Sequence, residues 1–488
     1  MIFPKYGKFQ FVYIAVTLLA TAFLTGCSGG SGGSAGTPPP ITTLPPVQPV
    51  AATFPDKAIT KVRTTANSWV ALAERLRPLE DFTRPDRQLL IAADGQNVTT
   101  VFSPPPRENE SVPADIPAWT LVDFTLHGSG EISTVLANDR ELRLLRLDLS
   151  GKVLREFAFA DSLVATDPYM GGEFNWTTFN ASMVSRGTRD AVRVSAIGED
   201  MVVALRSGRG TVLAYRFNYS AAHGFLQQWR TVVEPGVGIG FLGITSGTFD
   251  PFGSLENHWK VFLDTDVAGR IAIAVSPRLT GIAEGHTQYF GEVVDPDLWC
   301  GALVTRLSPN GQRLGTAILA TEKKMSELHG LRWIGETVAL TGRIKQDGGN
   351  WDAYISLVGQ DSNKPVTYQV ADVEQGDIFF DVASLSNGQL VVAGAAGYTQ
   401  NPSGGSISEA ATPLLAVLDK EGKVQQRIPV PAGPRHNQLR SLAPWKGNWL
   451  IGGLQNGPGT HSADAGNGYV NMELLRADGW VRETIVPH

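Results

Sequence analysis

A serine flanked by glycines is the arrangement best suited to covalent chemistry in this chain, and it occurs twice. The copies are Gly29-Gly30-Ser31-Gly32-Gly33 and Gly32-Gly33-Ser34-Ala35-Gly36. Gly-x-Ser-x-Gly exposes a nucleophilic hydroxyl only where a strand turns sharply into a helix. Both copies lie in a Gly/Ser tract with no strand pattern before and no helix pattern after, so neither is a nucleophile elbow. The eight histidines are scattered singly, and none forms a His-x-x-x-His metal pair. His258, His329 and His436 fall near the starts of predicted strands, where a shared metal site is geometrically conceivable. Each reads more simply as an ordinary strand-end polar residue. Asp250, Glu256, Asp264, Asp295 and Asp297 crowd one stretch and could offer oxygens to Ca²⁺. They follow no ordered calcium loop, and a solvated acidic surface accounts for them. Cys300, in Leu298-Trp299-Cys300-Gly301, reads as a small buried hydrophobe. Sequence therefore assigns no catalytic residue, no metal and no cofactor.

The other cysteine has a different setting. Lys5 and Lys8 precede an apolar stretch at residues 11–23, which is short for a bilayer span and ends at small residues. Leu24-Thr25-Gly26-Cys27 follows directly and resembles the lipobox of bacterial lipoproteins. The resemblance implies that residues 1–26 are a cleaved signal peptide and that Cys27 carries the lipid and becomes the new N-terminus. Residues 27–52 then form a linker, flexible where it is Gly/Ser-rich and stiffer where it is Pro-rich. One acyl chain of myristoyl size binds a membrane only marginally, so the several chains of a lipoprotein anchor hold it durably. Ser28 after the cysteine, rather than Asp, resembles lipoproteins sent to the outer membrane of Gram-negative bacteria.

Composition bounds the remaining domain, 53–488. Over the full 488 residues glycine (53) and proline (30) are plentiful while charged residues make up 18%, which favours turns and short strands over long surface helices. Loss of Lys5 and Lys8 with the signal takes the formal charge from −6 to −8, because residues 1–26 hold no acid. An acidic chain disfavours nucleic acid as a partner. With Cys27 acylated, Cys300 has no disulfide partner in the chain, and a monomer is expected.

Internal repeats set the architecture. One unit is a Gly-containing turn leading into an apolar strand, as in Gly269-Arg-Ile-Ala-Ile, Gly335-Glu-Thr-Val-Ala, Asn387-Gly-Gln-Leu-Val and Gly447-Asn-Trp-Leu-Ile. Looser copies start at Asn67, Gly130 and Gly198, making seven. A second unit joins two strands through Asp94-Gly95, Ser150-Gly151, Asn310-Gly311, Glu421-Gly422 and Asp478-Gly479, with weaker candidates at 219–224 and 360–364. Such turns are hairpin signals because they need positive φ. The two series interleave, and late in the chain Gly388 to Gly447 spans 59 residues and Gly422 to Gly479 spans 57. Two hairpins per period give four antiparallel strands, and seven periods predict an all-β, seven-bladed β-propeller. A pair of β-sandwiches is the rival, but it gives no reason for a sustained period. The Leu-Asp-x-x-Gly-x-Val hairpins resemble bacterial seven-bladed propeller-repeat proteins, best over 327–488. That resemblance implies a fold and no chemistry. Trp351-Asp352 is the single Trp-Asp pair, unlike WD40 repeats, and no repeated tryptophan docking motif like that of quinone-dependent dehydrogenases is found.

Strand order then places the loops. In each blade the first-to-second and third-to-fourth turns share one rim, and these are the short glycine turns. The long segments at 102–118, 161–189 and 234–260 are crossovers between blades, and those at 276–300, 343–351, 395–412 and 454–468 join second to third strands. All belong to the opposite rim. Loops on a rigid scaffold commonly carry binding. The candidate binding rim is therefore Trp176, Trp259, Trp299, Trp351, Tyr398 and His461, among other aromatics of these segments. The same side chains could instead pack beneath their own loops. The expectation is a lipid-anchored envelope propeller that binds a protein or glycan at this rim. The alternative is an envelope hydrolase or lyase with its site at the propeller mouth.

Overall fold

The structure is a computed structural model. It describes residues 50–75, 86–104, 119–137, 142–158, 165–167, 172–174, 192–206, 212–234, 260–275, 288–289, 292–293, 300–321, 324, 326–347, 350–359, 366, 368–371, 376–398, 411–457 and 477–486. The blades belong to one unit, Pro49–His488. No helix occurs among the described residues.

Seven four-stranded antiparallel sheets follow one another along the chain. After β1 (Ala51–Phe54), blade 1 comprises β2 (Ala58–Thr64), β3 (Trp69–Arg75), β4 (Asp86–Ala92) and β5 (Thr100–Phe102). Blade 2 is β6 (Thr120–Leu126), β7 (Ile132–Ala137), β8 (Leu142–Leu147) and β9 (Val153–Ala158). A two-stranded ribbon of β10 (Ala165–Asp167) and β11 (Gly172–Phe174) precedes blade 3. Blade 3 is β12 (Val192–Ile197), β13 (Asp200–Arg206), β14 (Val212–Ser220) and β15 (Gly224–Glu234).

Blade 4 starts with β16 (Val261–Thr265) and β17 (Ile271–Val275). A second ribbon, β18 (Gln288–Tyr289) and β19 (Glu292–Val293), follows before β20 (Cys300–Leu307) and β21 (Arg313–Ala320) complete that blade. Blade 5 is β22 (Ser326–Ile334), β23 (Thr337–Lys345), β24 (Trp351–Val358) and β25 (Gln369–Ala371). Blade 6 is β26 (Ile378–Ser384), β27 (Leu390–Ala396), β28 (Thr412–Leu418) and β29 (Val424–Ile428). Blade 7 has β30 (His436–Trp445), β31 (Asn448–Gly457) and β32 (Asp478–Thr484), and its fourth strand is β1.

The first strands touch in a closed circuit: β2 meets β6, β6 meets β12, and so on through β16, β22, β26 and β30 back to β2. This circuit makes the seven sheets a propeller, with the first strands innermost. Seven hydrophobic clusters each join two neighbouring blades. On β3, Val70 and Leu72 face blade 2 while Trp69, Ala71 and Ala73 face blade 7. Covering on both faces is why these strands read as almost unbroken apolar runs.

All seven first-series turns connect first to second strands. The second-series turns at Gly95, Gly151, Gly224, Gly311 and Gly422 connect third to fourth strands. In the 419–423 turn, the Asp419 amide donates to the Lys423 carbonyl, and its carboxylate accepts the amides of Glu421 (3.1 Å) and Lys423 (2.8 Å). Asp148 does the same for Ser150 and Lys152. An acceptor at the first position and Gly at the fourth is thus the physical content of the repeated motif.

Asp478-Gly479 departs from expectation. It opens β32, a third strand, and makes no hairpin turn. Its partner arrives from the other end of the chain: Ala51, Ala52, Thr53 and Phe54 pair with Arg482, Val481, Trp480 and Gly479. Ala51 and Ala52 are therefore part of blade 7, and the folded unit starts before residue 53.

Candidate functional site at the long-loop rim

First strands start, and second strands end, at the rim that carries the long connections. On blades 5, 6 and 7 these positions bring aromatic, basic and imidazole side chains together. The backbone prepares them: β22, β26 and β30 each carry bulges near their starts, so an extra residue is turned out of register. His329, Phe380, Asn437 and Arg440 are the bulged residues.

Arg343, fully buried near the end of β23, organises the blade 5 side. Its guanidinium grips Glu327 through two parallel bonds of 2.7 and 2.9 Å. It also lies over the rings of Trp351, 4.6 Å away, and Tyr398, 5.1 Å away. His329 Nε2 stands 3.1 Å from Glu327 Oε2. Burial opposes ionisation of Glu327, but the charge of Arg343 and the hydrogen bonds from His329 and Arg343 outweigh it and hold the carboxyl well below its usual range. An ionised carboxylate only accepts, so Nε2 of His329 is the donor. Burial holds His329 itself down to about 4, against the pull of Glu327, so the ring is neutral at physiological pH.

Phe380 links this group to blade 7. It meets His329 edge-on at 5.4 Å and Tyr398 edge-on at 6.4 Å, and Arg440 stacks over it at 3.9 Å. Tyr398 in turn tilts against His436 at 5.7 Å. Arg440 donates to the side-chain oxygen Oε1 of Gln438, and the side-chain Nε2 of Gln438 donates to His436 Nε2 at 2.7 Å. The result is a fixed floor in which guanidinium faces lie on aromatic faces. Glu327, His329, Trp351 and Arg440 keep part of their surface accessible, while Tyr398, His436 and Gln438 are buried.

Of the rim residues expected from sequence, Trp351 and Tyr398 come together here. Tyr398 is buried with Ile378, Phe380 and Ala395, a packing role like the one set out above as the alternative for these aromatics. Trp176, Trp259, Trp299, His461, His258 and Cys27 lie outside the described residues. His329 and His436 stand near strand starts as anticipated, each with a neighbouring side chain as partner. Among the described residues no group of three or more His, Cys, Asp or Glu gathers as metal ligands. The Asp264 carboxylate accepts the Trp333 amide at 2.9 Å, on the innermost strands, while Asp250, Glu256, Asp295 and Asp297 lie outside the described residues. Glu327, Arg343, Phe380 and Arg440 escaped the sequence reading because no repeat marks them; their role arises from bulges and from contacts across blades.

The opposite rim is not featureless. Thr64, Ser384, Leu385, Trp445, Lys446 and Trp449 line an open cleft of about 520 Å³ between the turns of blades 6, 7 and 1.

Two neutral imidazoles, one buried at His127 and one largely covered at His329, make stability depend on pH. His127 bonds the Gly198 carbonyl and Ser133, both at 2.8 Å, and burial followed by the charge of Arg146 holds it down to about 4. His329 is held down equally. Between pH 6.5 and 4 the unfolded chain binds protons at both sites that the folded chain refuses, so stability falls as pH drops through that window. Each histidine contributes a loss on the order of 3 kcal/mol. Denaturant unfolding at pH 7, 5 and 4 checks this; a flat profile would mean that the folded imidazoles are charged.

No family model matches the chain, and no curated protein does. Solved structures of similar shape include YCF48 bound to D1 peptide, at 10% identity over 90% of this chain and 96% of that one, with a TM-score of 0.44. A Dos1 propeller matches at 8% identity over 89% and 95%, with a TM-score of 0.43. The β-propeller domain of a trilobed protease from Pyrococcus furiosus matches at 10% identity over 84% and 94%, with a TM-score of 0.39. The propeller architecture stands on this chain's own strand pairing and inner circuit.

Proposed function

We propose that this chain is a lipid-anchored propeller of the bacterial envelope, held by Cys27 at the outer membrane, which binds a protein partner at its long-loop rim. The observation that carries the binding reading is the floor of Arg343, Trp351, Phe380, Tyr398 and Arg440 beneath that rim. Aromatic rings and arginines are the residue types that concentrate binding energy in protein interfaces. Seven closed blades give the floor a rigid support, and the long connections above it leave from the same ends of the sheets. A glycan partner would use the same stacking faces.

Trp351→Ala tests the rim. It removes an accessible ring that packs on Arg343 and opens a strand without filling its core, so binding of a partner captured from envelope extracts should weaken at least tenfold, while the melting temperature changes little. Unchanged affinity in the folded variant refutes the rim. The anchor is tested separately. Cys27→Ala should abolish acyl labelling and leave an uncleaved precursor of higher apparent mass; normal maturation of that variant removes the lipid anchor from the reading.

A further inference from the structure

Inside the circuit of first strands, charged residues alternate in sign. Lys61, Asp123, Arg193, Asp264, Arg332 and Asp381 stand in this order on blades 1 to 6, and Ser441 holds the corresponding place on blade 7. Hydrogen bonds fix the level. Asp123 accepts the Val194 amide (2.9 Å), Asp264 that of Trp333 (2.9 Å), Asp381 that of Leu442 (3.0 Å), and Ser441 Oγ that of Val62 (3.0 Å). Each acceptor thus bonds the residue just after the next blade's member of the ring. Ion pairs run between the members: Lys61 to Asp123 at 2.7 Å, Arg332 to Asp381 at 2.9 Å and Arg332 to Asp264 at 3.6 Å.

An alternating ring cannot close over an odd number of places. Ser441, uncharged, takes the seventh, and the ring itself is neutral with three cations and three carboxylates. Arg63 lies two residues beyond Lys61 on the same strand and adds a cation that the ring does not balance. Among the described residues its guanidinium donates only to the Val62 carbonyl, at 2.8 Å. It is partly accessible, as are Lys61, Arg193 and Arg332. Burial, then the like charge of Arg332, pull Arg63 down to about 10, with Asp381, Asp264 and Asp123 opposing from three different blades. Groups from blades 2, 4, 5 and 6 therefore act on this blade 1 guanidinium near the axis.

We propose that Arg63 anchors a small-oxyanion site in the central channel, where a phosphate or carboxylate group rests between the Arg63 fork and the Arg332 side of the alternating ring. A planar guanidinium with free N–H groups fits two oxygens of such an anion at once. The anion would also relieve the repulsion between Arg63 and Arg332. Lys61, already committed to Asp123 and the Phe124 carbonyl, gives charge rather than a bond. This site is independent of the rim, and either can exist without the other.

The test is titration of the full chain in detergent, at low salt, with inorganic phosphate in one arm and acetate in the other. Saturable binding of one anion per chain is expected, and the arm that shows it names the chemistry. Arg63→Gln should weaken that binding at least tenfold and hold or raise the melting temperature in anion-poor buffer, because it removes an unbalanced charge. Arg63→Lys, which keeps the charge and loses the fork, should weaken binding several-fold. Arg155→Gln, which removes a cation from the outer strand β9, should leave binding unchanged. No saturable binding in either arm, or equal losses in Arg63→Gln and Arg155→Gln, overturns the site.

Discussion

A chain beginning at Val50 is expected to melt cooperatively, whereas one beginning at Pro55 should lose most of its stability or fail to fold. The difference is one short strand. β1 supplies the outer edge of blade 7, with four residues laddered onto β32 and the Val50 carbonyl accepting the Glu483 amide at 2.8 Å. Val50 is 2% exposed and, with Phe54, packs into the cluster that joins blade 7 to blade 1. Net backbone bonding is worth roughly 1 kcal/mol each, and burying a valine about 2 kcal/mol, so the loss is on the order of 5 kcal/mol. Domains are commonly stable by only about 5–15 kcal/mol. The truncation also leaves β32 as an open edge, which invites strand pairing between molecules. A start at Thr53 keeps half of β1 and should fall between the two. Thermal melting of the three chains decides it; equal midpoints would show that blade 7 is self-sufficient.

How the ring closes was hidden in the sequence for a physical reason. A strand without a hairpin partner beside it has no turn signature, so its first half, Ala51 and Ala52, reads as the tail of the linker. The same reasoning misread Asp478-Gly479, whose Asp-Gly pair copies the turn motif while the backbone runs straight into β32. Elsewhere the local signal and the fold agreed, because a turn such as 419–423 is specified by the residues inside it. The mouth was legible only in part. Trp351 and Tyr398 announce themselves as aromatics at strand ends, but their meeting over Arg343 depends on two different blades. The channel did leave a trace: Val122-Asp123, Leu263-Asp264 and Phe380-Asp381 each put an acid into an apolar first strand, on alternate blades. Arg193 and Arg332 fill the blades between them. A charge recurring in strands that should be wholly buried marks an axis that many elements share, and only the closed circuit shows what the charges face.

Two glycines should separate the two reasons for which this fold needs glycine. Gly422 sits in a turn at φ +92°, and a Cβ there would stand 2.6 Å from Cγ2 of Ile355 on the preceding blade. Gly479 has no positive φ, but a Cβ on it would lie 1.9 Å from the Lys57 carbonyl oxygen and 2.9 Å from Ile59. At Gly422 valine meets both a forbidden backbone region and a packed neighbour, so Gly422→Val should cost about 3 kcal/mol or more. Asparagine tolerates the left-handed region, yet Gly422→Asn should still destabilise because the space is taken. Gly388 is the control: its φ is +84° and nothing lies within 4 Å of a Cβ, so Gly388→Asn should cost little. At Gly479 even alanine must push β32 away from the β1–β2 corner, and backbone cannot yield as a side chain can. Gly479→Ala should therefore destabilise as severely as Gly422→Val, by opening the junction where the chain's two ends meet. Denaturant unfolding of the four variants measures this. If Gly479→Ala melts like the wild type, the two backbones do not approach as closely as the ring closure requires.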